Sequence, residues 1–215
     1  IITFINSLDT KNSEILEDIE REALADNVPI IRREMQSFLK VLLMVKKPMR
    51  VLEVGTAVGF SALLMSEYVP EECAITTIEN YEKRIPIARQ NFVRAGKEKK
   101  ITLLEGDAMD VLKTLEGPYD FIFMDAAKGQ YIHYLPEILR LLAKGGILVS
   151  DNVMQDGDVI ESRFAVERRD RTIHARMREY LYELKHNDAL VTSIIPLGDG
   201  VALSVKKEVG TDIAQ

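Results

Sequence analysis

Short apolar runs that stop abruptly at acid or amide groups, separated by segments of helix length, limit what this chain can fold into more than any other feature. The sharpest cases are FIFMDAAKGQY, with Asp125 and Lys128, and GGILVSDN, with Asp151 and Asn152. Each run is too short for a free-standing helix. Each has the character of a strand buried on both faces, which delivers its last side chains to the carboxyl edge of a parallel sheet. RVLEVG (Arg50 to Gly55), AITTIE (Ala74 to Glu79), KITLLEGDA ending near Asp107, and YDFIFMD after Pro118 read as four strands. Helical patterns fall between and after them: SALLMSEYV from Ser61, the segment after Glu79 through Gly96, Met109 to Leu115, and Leu135 to Leu142. The Gly145-Gly146 pair is expected to open the fifth strand. Such alternation predicts an α/β chain with a mostly parallel, doubly wound sheet and helices on both faces. The end differs. After a helix over Thr172 to Lys185, LVTSIIPL and VALSVKK flank Gly198-Asp199-Gly200, a hairpin signal that makes the last strand antiparallel to its neighbour.

Ahead of the first strand, Ile15, Ile19 and Leu24, then Met35, Phe38, Leu39, Leu42 and Leu43 after Pro29, recur at three- and four-residue spacing, so residues 1–48 supply at least two helices. With 215 residues the chain suits one domain over 1–215, with a frayed tail at 208–215. A net charge of -6 argues against general nucleic-acid stickiness while leaving room for a local basic patch. The single Cys73 rules out an internal disulfide or a cysteine-built zinc site, and points to a reducing compartment. No apolar stretch approaches the ~20 residues that span a bilayer, so a cytoplasmic, membrane-free protein is expected. The chain starts at Ile1 rather than Met, which leaves its natural N-terminus open.

Two carboxylates and an amide oxygen, from Asp125, Asp151 and Asn152, form an all-oxygen set suited to a hard divalent cation such as Mg2+. Lys128, three residues beyond Asp125, is placed to act as a base or charge partner. EVGTAVGFS puts Gly55 and Gly59 around a tight turn, where backbone can approach a ligand carboxylate or phosphate at a helix N-terminus. The GxGxxG fingerprint is absent, because Ala57 and Phe60 stand where glycine belongs, and this argues against a nicotinamide cofactor. Glu79 ends the second strand, where a carboxylate accepts hydrogen bonds from ribose hydroxyls. Glu53, inside a buried run, needs a backbone donor or a ligand amine as partner. Asp107-Ala108 ends the third strand, with an acceptor for an adenine amino group and room for the ring. Together these outline an adenosine-containing cofactor beside a metal.

VLEVGTAVGFS, TTIE, EGDA, MDAAKGQY and SDNV, in this order, resemble the cation-dependent O-methyltransferases that include catechol and caffeoyl-coenzyme A methyltransferases. The resemblance implies S-adenosylmethionine as cofactor and a Rossmann-like class I methyltransferase sheet of seven strands with the last reversed. It also implies a homodimer. Carried over by motif, Glu53, Gly55 and Ser61 hold the methionine part, Glu79 the ribose, and Asp107 with Ala108 the adenine. Asp125, which also borders the cofactor, binds the metal with Asp151 and Asn152, and Lys128 is the general base. VPIIRRE resembles the segment leading to the family's cofactor, which implies Ile31 near it.

RFAVERRDRTIHARMREY carries Arg163, Arg168, Arg169, Arg171, Arg176 and Arg178, a cluster able to track phosphates. A solvated helix face with internal ion pairs is the other account of it. This stretch, with IIPLGDGVALSVKK, resembles the bacterial tRNA 5-hydroxyuridine methyltransferases. That implies a tRNA anticodon loop as substrate, 5-methoxyuridine at the wobble position as product, and Arg168, Arg169 and Arg171 as tRNA contacts. A catechol or hydroxycinnamoyl-coenzyme A acceptor is the alternative, since 5-hydroxyuracil and catechol present the same vicinal oxygens.

Overall fold

The computed structural model describes residues 2–162 and 164–208; Arg163 and residues 209–215, where most of the expected frayed tail falls, lie outside the described residues. The chain divides into two compact units, Ile1–Val111 and Leu112–Gln215.

In the first unit, helices α1 (Ile2–Ser7), α2 (Glu14–Ala25) and α3 (Arg33–Lys46) precede β1 (Arg50–Val54), α4 (Phe60–Glu67), β2 (Ala74–Glu79), α5 (Ile85–Arg94) and β3 (Ile101–Glu105), and the unit ends within α6 (Ala108–Thr114). Three helices thus precede the sheet, where at least two were expected. The three strands are parallel, in register from Arg50↔Ala74 to Val54↔Ile78 and from Ile75↔Ile101 to Glu79↔Glu105. Their carboxyl ends, at Gly55, Glu79 and Glu105, therefore lie side by side. Helix α4 is buried on nearly every side, from Phe60 to Ser66, as befits a helix without a polar face. Helices α2 and α3 both pack on it. Their stripes Leu16 and Ile19, and Met35, Leu39 and Leu43, are sealed from solvent, each side chain contributing roughly 1.5–3 kcal/mol.

The second unit carries β4 (Tyr119–Met124), a 3-10 turn over Lys128–Gln130, α7 (Tyr131–Leu141), β5 (Leu142–Ser150), a longer 3-10 segment over Gln155–Ile160, α8 (Arg171–His186), β6 (Leu190–Ile195) and β7 (Val201–Lys206). Strand β4 runs parallel to β5, and β7 lies antiparallel to both β5 and β6. The full order is β3-β2-β1-β4-β5-β7-β6, a seven-stranded sheet with its last strand reversed, as expected. One boundary is corrected. Strand β5 begins at Leu142, and Gly145-Gly146 sits inside it, at a break where pairing passes from Tyr119↔Leu142 directly to Phe121↔Ile147. The excess residues on β5 fold back there: Gly145 has φ 68°, and a Cβ on Gly146 would lie 2.7 Å from the Ala143 carbonyl oxygen. The glycines are needed for the detour, not for a start.

Candidate active site

In the first unit the turn from β1 to α4 is built by left-handed backbone. Gly55 (φ 103°), Ala57 (φ 47°) and Gly59 (φ 85°) reverse the chain, and Gly59 N–H closes the turn on the Thr56 carbonyl at 2.8 Å. Glu79 completes it from β2. One carboxylate oxygen accepts the Ala57 N–H at 2.7 Å, and the other accepts those of Asn80 at 3.0 Å and Tyr81 at 2.9 Å. The acid thus sits, half-buried, at the strand end with its orientation fixed by three backbone donors. Gly106 N–H donates to the Glu79 carbonyl at 3.0 Å, which brings the β3 end alongside. There Asp107 accepts the Met109 N–H at 2.9 Å and caps α6, which starts at Ala108. Ser61 is buried in the first turn of α4. Glu53 is fully buried and accepts the Thr77 hydroxyl on β2, itself hydrogen-bonded to Thr56. Ile31 is buried at the approach to α3, its carbonyl held by the Gln36 side chain at 3.1 Å.

The second unit gathers the oxygen ligands. Asp125 follows β4 and Asp151 follows β5, and Asp151 N–H donates to the Met124 carbonyl at 2.9 Å, which ties the two strand ends together. Asn152 adopts φ 56°, a left-handed turn that asparagine tolerates, and its amide nitrogen lies 3.4 Å from Asp125 Oδ1. A half-turn of the amide directs its oxygen to the same place. Burial raises the Asp125 carboxyl above its ordinary range. Burial, then the charge of Asp125, pushes Asp151 up to about 7. Two acids crowded in a site that strains their ionised forms fit a divalent cation, which would neutralise both. Among the described residues no three His, Cys, Asp or Glu side chains form a metal cluster. The candidate set is two carboxylates and an amide.

Two further residues complete this end, and sequence reading saw neither role. Lys128 Nζ lies 3.3 Å from Asp199 Oδ2, in the turn between β6 and β7, and it lowers the charge cost at both Asp125 and Asp151. Asp199 itself is buried. That turn is fastened to the strand end by Val153 N–H on the Gly200 carbonyl at 3.0 Å and Met154 N–H on the Asp199 carbonyl at 2.9 Å. Tyr131 is fully buried: its hydroxyl accepts the Ala126 N–H at 3.2 Å and faces the carbonyls of Met124 at 3.1 Å and Asp151 at 3.2 Å. Burial raises its pKa well above the ordinary tyrosine range, so it stays a neutral donor.

The arginine cluster divides. Arg168 and Arg169 are exposed, and Arg169 pairs with Glu167 at 3.0 Å and Asp170 at 3.3 Å. Arg171, Arg176 and Arg178 instead bond the backbone carbonyls of Val166, Gly129 and Val159. Phe164, in the same stretch, is 87% exposed.

Fold and site together define a Rossmann-like methyltransferase architecture: a seven-stranded sheet with a reversed β7, a glycine turn with an acid after β2, and acids at the ends of β4 and β5. The sequence profile described as O-methyltransferase matches residues 6–207, and the chain belongs to that family, whose members are S-adenosylmethionine-dependent transferases of class EC 2.1.1. Among its relatives is the caffeoyl-CoA O-methyltransferase 2 of Populus trichocarpa, 33% identical over 183 residues that cover 77% of this chain and 70% of the plant enzyme. Another is the catechol O-methyltransferase of Niastella koreensis, 35% identical over 128 residues, which cover 58% of each chain. The SAH-bound structure of the Podospora anserina methyltransferase PaMTH1 superposes with a TM-score of 0.86 at 27% identity, covering 96% of this chain and 93% of the other. No helix among the described residues is long and apolar enough to cross a membrane.

Proposed function

We propose that this chain moves the methyl group of S-adenosylmethionine to one of two adjacent oxygens on a catechol-like acceptor, a catechol or a hydroxycinnamoyl-coenzyme A. The observation that carries this reading is the close set of Asp125, Asp151 and Asn152 with Lys128 beside it. Relatives named for catechol and caffeoyl-CoA support the acceptor class. Asp125, Asp151 and Asn152 would hold a divalent cation such as Mg2+, which would supply a more acidic acceptor hydroxyl. Lys128, as the neutral amine, would take the hydroxyl proton, leaving an oxyanion to displace the methyl in line as the carbon–sulfur bond breaks and S-adenosylhomocysteine leaves. In the first unit Glu79 holds the ribose, Gly55 with Glu53 and Ser61 the methionine part, and Asp107 with Ala108 the adenine; Ile31 lies on the approach. The active species is a homodimer, consistent with the exposed Val41, Met44 and Val45 on α3.

A second acceptor, the 5-hydroxyl of 5-hydroxyuridine in a tRNA anticodon loop, offers the same vicinal oxygens. Exposed Arg168 and Arg169 support it, whereas the engagement of Arg171, Arg176 and Arg178 by backbone carbonyls favours the small acceptor. Incubation with labelled S-adenosylmethionine and Mg2+, offering catechol, caffeoyl-coenzyme A or 5-hydroxyuridine-containing tRNA, separates the two. Label in catechol or the thioester, lost on chelation of the cation, is the expected result; label only in tRNA, reduced by changing Arg168 and Arg169 to Ala, would replace the first reading by the second.

A further inference from the structure

Arg171, His174, Arg176 and Arg178 of α8 fall on two lines of the helix, and each line grips backbone that leaves the acid cluster. Arg171, His174 and Arg178, spaced by three and four residues, share one face. Arg171 Nε donates to the Val166 carbonyl at 3.2 Å, the His174 ring Nε2 meets the Glu161 carbonyl at 3.1 Å, and Arg178 Nη1 donates to the Val159 carbonyl at 2.8 Å. All three carbonyls belong to the segment that leaves Asn152. On the other line, Arg176 Nη1 donates to the Gly129 carbonyl at 3.1 Å, one residue beyond Lys128, and Ile173 packs 3.5 Å from where a Cβ on Gly129 would stand. One turn on, Tyr180 is buried with its hydroxyl 2.6 Å from Ser150 Oγ, directly before Asp151, and its ring 5.4 Å edge-on from that of Tyr131. Helix α8 therefore reaches each stretch of backbone that leaves the acid cluster.

We propose that α8 is a clamp that sets the acceptor pocket, with Arg178 and His174 as positioning residues for the segment after Asn152 and Arg176 as the positioning residue for the Lys128 turn. The held carbonyls of Val159 and Gly129 lie in short 3-10 segments, Gln155–Ile160 and Lys128–Gln130, and that of Glu161 directly follows the first; such geometry is weaker than that of an α-helix. They need outside partners to keep one conformation. A guanidinium suits the task, since it stays charged and spans the gap to a carbonyl in a fixed plane, and charge-assisted bonds of this kind are about twice as strong as neutral ones. An acceptor chelated at the acids is walled by the backbone leaving Asp125 and Asn152, so freeing either stretch changes acceptor fit while leaving the glycine turn of the first unit alone.

The inference rests on the proposed acceptor site, and its test has an arm independent of it. In the full chain, Arg178→Ala and His174→Ala are expected to raise the KM for catechol about tenfold with kcat nearly kept, whereas Arg176→Ala lowers kcat about tenfold, in line with the cost of small displacements at a reacting centre. S-adenosylmethionine affinity stays within about twofold of the unaltered protein, and Arg176→Lys and Arg178→Lys recover part of each loss. Amide hydrogen exchange, read without acceptor, is expected to speed up at 127–131 in the Arg176 variants and at 155–162 in the Arg178 and His174 variants. Unaltered exchange in those stretches overturns the clamp whatever the kinetics. So does a parallel fall of kcat, acceptor and cofactor affinity that lysine does not recover, which marks a general loss of folding. If the unaltered protein leaves catechol unmethylated, the acceptor assignment fails, and local exchange still decides the clamp.

Discussion

Lys128 is held by Asp199, 3.3 Å away and 71 residues later in the chain, rather than only by the acid three residues before it. The Lys128 side chain is a third exposed while that of Asp199 is buried, so the anchor is the rigid member and the lysine the adjustable one. Replacing Asp199 by Asn keeps the shape and removes the charge that restrains Lys128. The expected outcome is a kcat lower by roughly tenfold with cation affinity retained, since misplacing a proton acceptor by an ångström is enough for such a loss. Steady-state kinetics beside calorimetric Mg2+ titration checks it. A variant with unaltered kcat would show that Asp199 does not position the base.

Asp151 sets a pH dependence of the cation-free protein. Its folded-state pKa, raised from 3.8 to about 7 by burial and then by Asp125, means the folded state prefers the protonated acid. Stability from this group is fully present below the unfolded pKa and is lost as pH rises through about 7. Asp151→Asn, neutral at every pH, is expected to stabilise the cation-free protein by about 2–4 kcal/mol at pH ~8 and by little at pH ~4. Urea denaturation with a chelator present measures the difference, and equal gains at both pH values would refute the cause given. Adding Mg2+ at the higher pH should stabilise the unaltered protein and not the variant.

The strand ends were legible because a buried parallel strand has a signature of its own, an apolar run that stops at a polar group, and each acid at such a stop, from Glu79 to Asp151, stands where it was expected. Partners across long sequence separations were not. Asp199 read as a hairpin residue, and its task follows from backbone pairing of Val153 and Met154 to the turn, which no local pattern shows. The arginines from Arg163 to Arg178 read as one basic cluster; only the carbonyls that Arg171, Arg176 and Arg178 meet, from Gly129 to Val166, separate anchors from the exposed Arg168 and Arg169. The β5 start was misplaced because a glycine pair marks a turn and a bulge alike.

Tyr131 joins the ends of β4 and β5 through one hydroxyl. Tyr131→Phe leaves the ring in its fully buried place and removes the group that faces the Met124 and Asp151 carbonyls and accepts the Ala126 N–H. Leaving buried polar groups unpaired costs about 1–3 kcal/mol, so the variant should lose stability in that range. Because the same bonds set the backbone beside Asp125 and Asp151, Mg2+ affinity should fall with it. Stability lost without any change in Mg2+ affinity would confine Tyr131 to the core.

Gly59 is fixed by two independent demands. Its φ of 85° is left-handed, and a Cβ there would lie 2.5 Å from the Phe92 ring on α5. Phe92 is itself buried, and Asn91 beside it donates to the Val58 carbonyl at 2.9 Å, so the ring has little freedom to withdraw. Gly59→Ala should therefore cost about 2–4 kcal/mol, the left-handed backbone adding ~1–2 to the overpacking. It should also weaken S-adenosylmethionine binding through the distorted turn, with Mg2+ affinity in the second unit unaffected. Trimming the obstacle with Phe92→Leu removes the clash but not the backbone strain, so the double variant should regain only part of the stability. Full recovery would show that the ring alone demands glycine here, and no recovery that the left-handed conformation does.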